Sequence, residues 1–330
     1  MIDFNNLADN AINNQVFYCN GVFANSTDWQ TWEKPKNCKY VYITAIGSGG
    51  GGGGGRRSTS NTSSGGGGGG SGAISSGFFQ AVVLPDVLFI QVAQGGTAGT
   101  GQSVQVNGIA GGFGKASIVS IRPANTVPFV VVQSGSLASS AVGGAGGALA
   151  AVGGGAGEGV WGLTGAFANT GQITSIQGQL GGAGAVSTTN GISITPTRIT
   201  TAGAGGGGTS SSTSVSNGGN ITATGIFPLV PGTTGNSTAG SYTGSDAGSG
   251  YRTRDPGNSY TARDPLVCSG GAAGGGLVVT VGTGYASNGG NAAFGSGGGG
   301  GGGTNLSTGD FARSGDGGRG GDGLVIITCF

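Results

Sequence analysis

The chain has 330 residues, of which 82 are glycine, 13 basic, 12 acidic and none histidine. A glycine content near one quarter is typical of low-complexity or disordered chains, but disorder also requires high charge and few apolar residues. Only 8% of the residues are charged and 35% are apolar, which favours a folded protein, and the net charge of +1 excludes an electrostatic footprint for nucleic acid.

The first 20 residues are predicted to form an N-terminal arm, because residues 1–14 are polar with only a weak helical pattern. This start has no basic region followed by an apolar core, so no signal peptide is predicted. The chain has no stretch of 18 apolar residues, so no membrane insertion is expected. We therefore expect synthesis in a cytoplasm and, for work outside a cell, release by a route such as lysis.

Residues 21–330 are predicted to form one glycine-rich β domain, with a division near residue 135 left open. Residues 40–46 are β-branched and aromatic almost throughout and form the clearest strand candidate. The other strand candidates are short apolar runs bounded by turn residues, at 16–19, 21–23, 29–32, 78–84, 87–92, 118–121, 129–133, 173–176, 192–194, 221–226, 277–281 and 324–329.

Uninterrupted glycine fills residues 49–55, 65–70 and 297–303, with shorter runs at 205–208 and 274–276. Such runs are either flexible linkers or polyglycine II, an extended left-handed helix with three residues per turn whose backbone bonds sideways to neighbours. Predicted strands directly abut the runs, which favours the second interpretation. The predicted fold class is all-β, a β-sandwich-like framework with polyglycine II helical segments and long loops.

The beginning and the end of this region resemble a known family. Trp29-Gln-Thr-Trp32-Glu-Lys-Pro35, Cys38-Lys-Tyr-Val-Tyr-Ile43 and the glycine run that follows are similar to the start of the glycine-rich domain of bacteriophage tail-fibre and receptor-binding proteins, or adhesins. The closing Gly320-Gly-Asp-Gly-Leu-Val-Ile-Ile327 resembles the end of that domain. The resemblance covers most of residues 29–330. It implies an adhesin attached to the virion, with packed polyglycine helices and variable loops between them that bind the host.

Several chemistries are excluded or disfavoured. Without histidine there is no Ser-His-Asp triad, no Cys-His dyad and no histidine-bound metal, so we predict no enzyme, no cofactor and no metal. One calcium-type nonapeptide occurs around Asp322, but such sites need tandem copies. The cysteines lack a C-x-x-C pair and are expected to be mostly buried thiols. A bridge such as Cys38–Cys329 is attractive, but the sequence does not decide the pairing.

The predicted receptor-binding residues lie in two loops, and they are Tyr251, Arg252, Arg254, Tyr260, Arg263 and Trp161. Aromatic faces stack on sugar rings, and guanidinium groups pair with the carboxylates or phosphates of lipopolysaccharide. The alternative is structural, because the arginines have aspartate neighbours, the tyrosines can pack on glycine, and Trp161 can belong to the core.

The predicted function is that of a non-enzymatic phage virion protein, a tail-fibre tip or adhesin. Its expected partners are other virion proteins, through the N-terminal region, and a bacterial surface glycan or outer-membrane protein. A homotrimer is left open, and the expected location is the virion. The alternatives are a purely structural virion component and, less favoured because the glycine spacing is irregular, an ice-binding polyglycine II protein.

Overall fold

The computed structural model describes residues 13–20, 29–59, 62–124, 130–134, 171–186, 189–210, 213–238, 240–250, 267–307 and 311–330. The fold is all-β. A single turn of 3-10 helix at Ala81–Val83 interrupts the strands, and in the described part of the chain no helix has the length and apolarity to cross a membrane. The strands are β1 (Asn13–Tyr18), β2 (Gln30–Glu33), β3 (Tyr40–Ile46), β4 (Arg57–Ser58), β5 (Ile74–Gln80), β6 (Val87–Gln91), β7 (Ile118–Ser120), β8 (Val130–Gln133), β9 (Gly171–Ile176), β10 (Asn236–Thr238), β11 (Tyr242–Thr243), β12 (Leu277–Val279), β13 (Thr283–Tyr285), β14 (Thr304–Leu306), β15 (Phe311–Arg313) and β16 (Leu324–Cys329).

Two antiparallel sheets form a β-sandwich. One sheet has the strand order β1-β16-β3-β5-β9 and the other the order β2-β6-β7-β8. Alternate side chains of β3 are buried, as expected when one face of a sheet packs on a core. The core between the sheets contains Trp32 and Phe79, both fully buried, together with Ile43, Leu88 and other aliphatic residues. Trp32 is therefore part of the framework.

Most strand predictions in this region are confirmed, with shifted ends. The predicted strand at 78–84 begins earlier, at Ile74, and ends at Gln80 before the 3-10 turn. The predictions at 192–194 and 221–226 are wrong, because Ile194 and Ile221 make only isolated bridges. These segments belong to the glycine-rich packing described next, in which successive amides point to different neighbours and no two-sided strand ladder can form. Residues 21–23 lie outside the described residues.

The glycine-rich segments pack side by side as a bundle, here called the glycine bundle. Successive N–H groups of residues 49–55 donate in rotation to three neighbours, residues 315–321, 67–70 and 109–112, so every third amide returns to the same neighbour. This period of three is that of polyglycine II. The described segments form four stacked layers: 244–250, 286–293, 314–323 and 93–101; then 230–236, 267–277, 296–304, 47–57 and 106–116; then 216–222, 199–209 and 63–73; and finally 190–194 and 178–185.

The glycine run at residues 297–303 lies at the centre of the bundle. All seven of its N–H groups donate to backbone carbonyls, and all seven of its carbonyls accept from backbone N–H groups, at N···O distances of 2.7–3.0 Å. Six segments surround it, and those neighbours lie within residues 47–57, 63–73, 199–209, 267–277, 286–293 and 313–323. A buried run with no side chains thus satisfies its whole backbone, which a solvated linker does not do. Neighbours come from both sides of residue 135, so both parts of the chain join in one bundle.

Strands close the bundle at both ends. At the first end, here called the sandwich end, glycine segments continue into β3, β5, β9 and β16 of the five-stranded sheet. At the other end, here called the turn end, the segments flatten into two parallel sheets with the orders β10-β12-β14-β4 and β11-β13-β15. Leu277 and Val279 pack there in a small core with Ala286 and Ala312. A rise of about 3.1 Å per residue places the two ends about 30 Å apart.

The first and last described residues lie together at the sandwich end. β1 pairs antiparallel with β16, so residues 13–18 of the predicted arm are an edge strand of the sandwich, while residues 1–12 lie outside the described residues. A disulfide joins Cys38 to Cys329 across 291 residues of sequence, whereas Cys19 and Cys268 form no disulfide. The sequence left the cysteine pairing undecided. The structure joins Cys38, just before β3, to Cys329 in the C-terminal strand β16.

Candidate functional site

The six predicted receptor-binding residues, Trp161, Tyr251, Arg252, Arg254, Tyr260 and Arg263, all lie outside the described residues. Their binding role remains a prediction. The described residue before the tyrosine- and arginine-rich segment is Gly250, and it donates its N–H to the carbonyl of Asn291 at 2.6 Å. Gly250 also lines a cavity of about 370 Å³. Gly250, the last described residue before the predicted segment, therefore lies beside a surface groove.

The turn end carries several of the connections between layers. The connection at residues 101–106 is completely described, and two of its side chains, Val104 and Val106, are 56% and 47% exposed. Val281, in the next described connection, is 58% exposed, and Tyr285 is 43% exposed and contacts Phe311 with ring centroids 5.8 Å apart. Exposed apolar side chains contribute to a binding surface where they form a contiguous patch. These exposed side chains lie at the opposite end from both described chain ends.

One flank of the bundle carries a regular array of polar side chains, here called the polar flank. It lies on the segments 244–250, 286–293 and 314–323. In residues 288–291 and 316–322 every third residue points outward and the glycines between are mostly buried, while residues 244–250 contribute the exposed Asp246. The outward side chains accept hydrogen bonds from backbone N–H groups, which inside the bundle donate to the carbonyls of a neighbouring segment. Asn288 Oδ1 accepts the Asp316 N–H and Asn291 Oδ1 accepts the Arg319 N–H, both at 2.8 Å.

Carboxylates also accept hydrogen bonds from backbone amides, where segment 314–323 meets segment 93–101. Asp316 Oδ1 accepts the Gly101 N–H, and Asp322 Oδ1 accepts the Gly95 N–H, each at 2.7 Å. Asp322 also pairs with Arg319 at 2.8 Å. The calcium-like motif around Asp322 therefore has a structural role, since its glycines are bundle positions and its aspartate caps a backbone amide. Among the described residues, no group of three or more histidine, cysteine, aspartate or glutamate side chains is placed to hold a metal ion.

Two cavities lie end to end along the polar flank. The larger, of about 370 Å³, is lined by Asn291, Phe294, Arg319 and Asp322. The smaller, of about 200 Å³, is lined by Asp246, Asn288 and Asp316 and shares Asn291 with the larger. Phe294 contacts Tyr18 of β1 with ring centroids 5.7 Å apart. The result is an open groove with amides, carboxylates and a guanidinium along it and an aromatic pair at the sandwich end.

This flank was missed in the sequence, although a signal for it exists. The pattern is one polar residue followed by two glycines, repeated, and it occurs in residues 217–220, 288–291 and 316–322. In a helix with three residues per turn, this spacing places all the polar side chains on one side and all the glycines on the others. The repeat therefore marks segments at the surface of the bundle, whereas uninterrupted glycine marks its centre.

Residues 25–148 match a family model described as a glycine-rich domain. The matched part includes the described strands β2–β8 and the glycine runs at 49–55 and 65–70. No curated protein matches the chain significantly. The glycine-rich character expected from the sequence is therefore confirmed for this part of the chain.

Proposed function

We propose that the chain is a non-enzymatic bacteriophage adhesin, a tail-fibre tip that binds the host surface. The observation that carries this proposal is the division of the molecule into two ends held by a hydrogen-bonded bundle whose central run satisfies its whole backbone. β1 and β16 lie at the sandwich end, while exposed connections lie at the turn end. Attachment to other virion proteins takes place at the sandwich end, next to β1, and the turn end faces the bacterium.

A rigid bundle suits this role for a thermodynamic reason. The connections are fixed at both ends by segments whose backbones are hydrogen-bonded to the bundle, such as residues 93–101 and 106–116 on either side of the exposed loop. Binding by a surface that is already ordered costs little further conformational entropy. Weak contacts with a surface glycan or outer-membrane protein are then multiplied by several copies on one virion, whether or not the chain forms a trimer.

The test is binding of the fluorescently labelled chain to a panel of bacterial strains, measured by flow cytometry. For a strain that binds, we expect the triple variant Val104→Ser, Val281→Ser, Tyr285→Ser to bind at least tenfold less. The control is Ile226→Ser with Leu229→Ser, because these side chains are 52% and 55% exposed but lie at the sandwich end. Undiminished binding by the turn-end variant, or binding to no strain, would overturn the proposal as stated.

A second variant tests the predicted loop. Tyr251→Ala, Arg254→Ala and Tyr260→Ala together remove the aromatic and guanidinium groups of that segment. Loss of binding in this variant, with the turn-end variant intact, assigns receptor contact to residues 251–263 instead of the turn end. Loss in the turn-end variant alone assigns it as proposed.

A further inference from the structure

The groove on the polar flank has a repeat that matches an extended ligand. Asp246, Asn288 and Asp316 form one row across three segments, joined by hydrogen bonds of 2.9 Å from Asn288 Nδ2 to Asp246 Oδ1 and of 2.8 Å from Asp316 N to Asn288 Oδ1. Asn291 and Arg319 form the next row, three residues along. Three residues of polyglycine II span about 9 Å, so the groove offers polar groups at regular steps over about 20 Å.

The chemistry of the groove selects against most ligand classes. Arg313 pairs with Asp316 at 2.7 Å and Arg319 pairs with Asp322 at 2.8 Å, which leaves the carboxylate of Asp246 as the excess charge. At the described residues of the groove, a polyanion such as nucleic acid or an acidic glycan therefore meets no excess of positive charge. A purely apolar ligand is also disfavoured, because it would cover amides and carboxylates without hydrogen-bonding them.

A neutral saccharide satisfies both conditions. Its hydroxyl groups donate and accept, as required by a wall that combines acceptor carboxylates, donor guanidinium groups and amides that do both. The Phe294 ring, half-buried against Tyr18, provides a face for the apolar side of a sugar ring. Asn288 and Asn291 are already held in place by the hydrogen bonds that they accept from backbone amides. Binding therefore requires little ordering of these side chains.

We propose that the polar flank binds an uncharged oligosaccharide of several units along the groove between Asp246 and Phe294. This site is separate from the turn end, so it stands independently of the receptor contact proposed there. Asn288, Asn291 and Arg319 donate to sugar hydroxyls, Asp246 and Asp322 accept from them, and Phe294 packs against one ring.

The experiment is a titration of the full chain with maltohexaose, isomaltohexaose and a linear mannohexaose, followed by saturation-transfer NMR and calorimetry. A galacturonic acid hexamer serves as the charged comparator. We expect saturable binding of at least one neutral hexasaccharide, with a Kd of about 1 mM or below, and much weaker binding of the charged hexamer.

The variants separate recognition from structure. Asn291→Ala with Arg319→Ala is expected to weaken binding at least tenfold, and Phe294→Leu to weaken it severalfold while keeping the site apolar. The control is Asn220→Ala, because Asn220 Oδ1 caps the Gly232 N–H at 2.7 Å on a different flank and so has the same structural role as Asn291. Unchanged affinity in the groove variants, equal weakening by Asn220→Ala, or the absence of saturable binding by all three neutral probes would each overturn the proposal.

Discussion

A single methyl group at the centre of the glycine bundle should destabilise the whole molecule. A Cβ built on Gly300 falls on the carbonyl group of Gly66 and close to the N–H of Gly206. Gly300, Gly66 and Gly206 belong to three separate segments. The segments of Gly66 and Gly206 are hydrogen-bonded at this point, since the Gly206 N–H donates to the Gly66 carbonyl at 2.8 Å. Because the obstacle is backbone rather than a side chain, it cannot rotate away, and at least one segment must move.

The magnitude follows from the bonds that the movement breaks. Separating residue 66 from the centre removes the bonds Gly206–Gly66 and Gly66–Gly301, and each buried group left unpaired costs about 1–3 kcal/mol. Overpacking adds about 1–3 kcal/mol, and the smaller entropy of the unfolded alanine chain returns about 0.4–1 kcal/mol. We therefore expect Gly300→Ala to lower the free energy of unfolding by about 3–6 kcal/mol, a large share of a typical total of about 5–15 kcal/mol.

The assay is differential scanning calorimetry, with Gly240→Ala as the matched control. A Cβ on Gly240 meets no atom within 4 Å, so this variant should stay within about 0.5 kcal/mol of the parent chain. For Gly300→Ala we expect Tm to fall by at least about 4 °C. If both variants melt together with the parent chain, the glycine runs behave as linkers and the bundle does not carry the stability of the fold.

Two further predictions concern the same construction. Backbone amides of residues 49–55 and 297–303 should exchange hydrogen at least about 1,000-fold more slowly than a random coil, because they open only when the bundle opens; mass spectrometry of exchanged peptides measures this, and random-coil rates would contradict the hydrogen bonding described. Replacing both Cys38 and Cys329 with serine should lower the free energy of unfolding by about 2–5 kcal/mol, since the bridge closes a loop of 291 residues. Denaturant titration measures this loss. Equal stability of parent and variant under oxidising conditions would show that the bridge contributes nothing.

The sequence predicted the sandwich well because side chains encode it. β3 alternates buried and exposed residues along most of its length, and β5, β6 and β16 are similarly apolar on their inner face. The prediction that glycine runs are packed helices was also right, because strands adjoin them. The arrangement of the segments into layers was not predictable, since glycine has no side chain that distinguishes one neighbour from another.

Short apolar stretches inside the bundle were the source of error. Ile194 and Ile221 lie in segments that read as strands, yet both are buried in a small core with Ala204, Ala272 and Val230 between the layers. Apolar spacing in short runs does not separate a strand from a helix with three residues per turn. For the site, aromatic and basic residues drew attention to residues 251–263, while the asparagines of the polar flank looked like ordinary loop residues.

In the adhesin that we propose, the architecture separates stability from recognition. Uninterrupted glycine holds the centre through backbone bonds alone, so the central bonds of residues 297–303 depend on no side chain at the turn end. The exposed valines at 104 and 281 contribute little to those bonds and can change at small cost to stability. The polar flank is constrained differently, since two asparagines and two aspartates there (Asn288, Asn291, Asp316 and Asp322) accept hydrogen bonds from backbone amides as well as lining the groove. Variation in the recognised partner should therefore concentrate in the turns, while substitutions in the flank remain limited to residues that still accept a hydrogen bond.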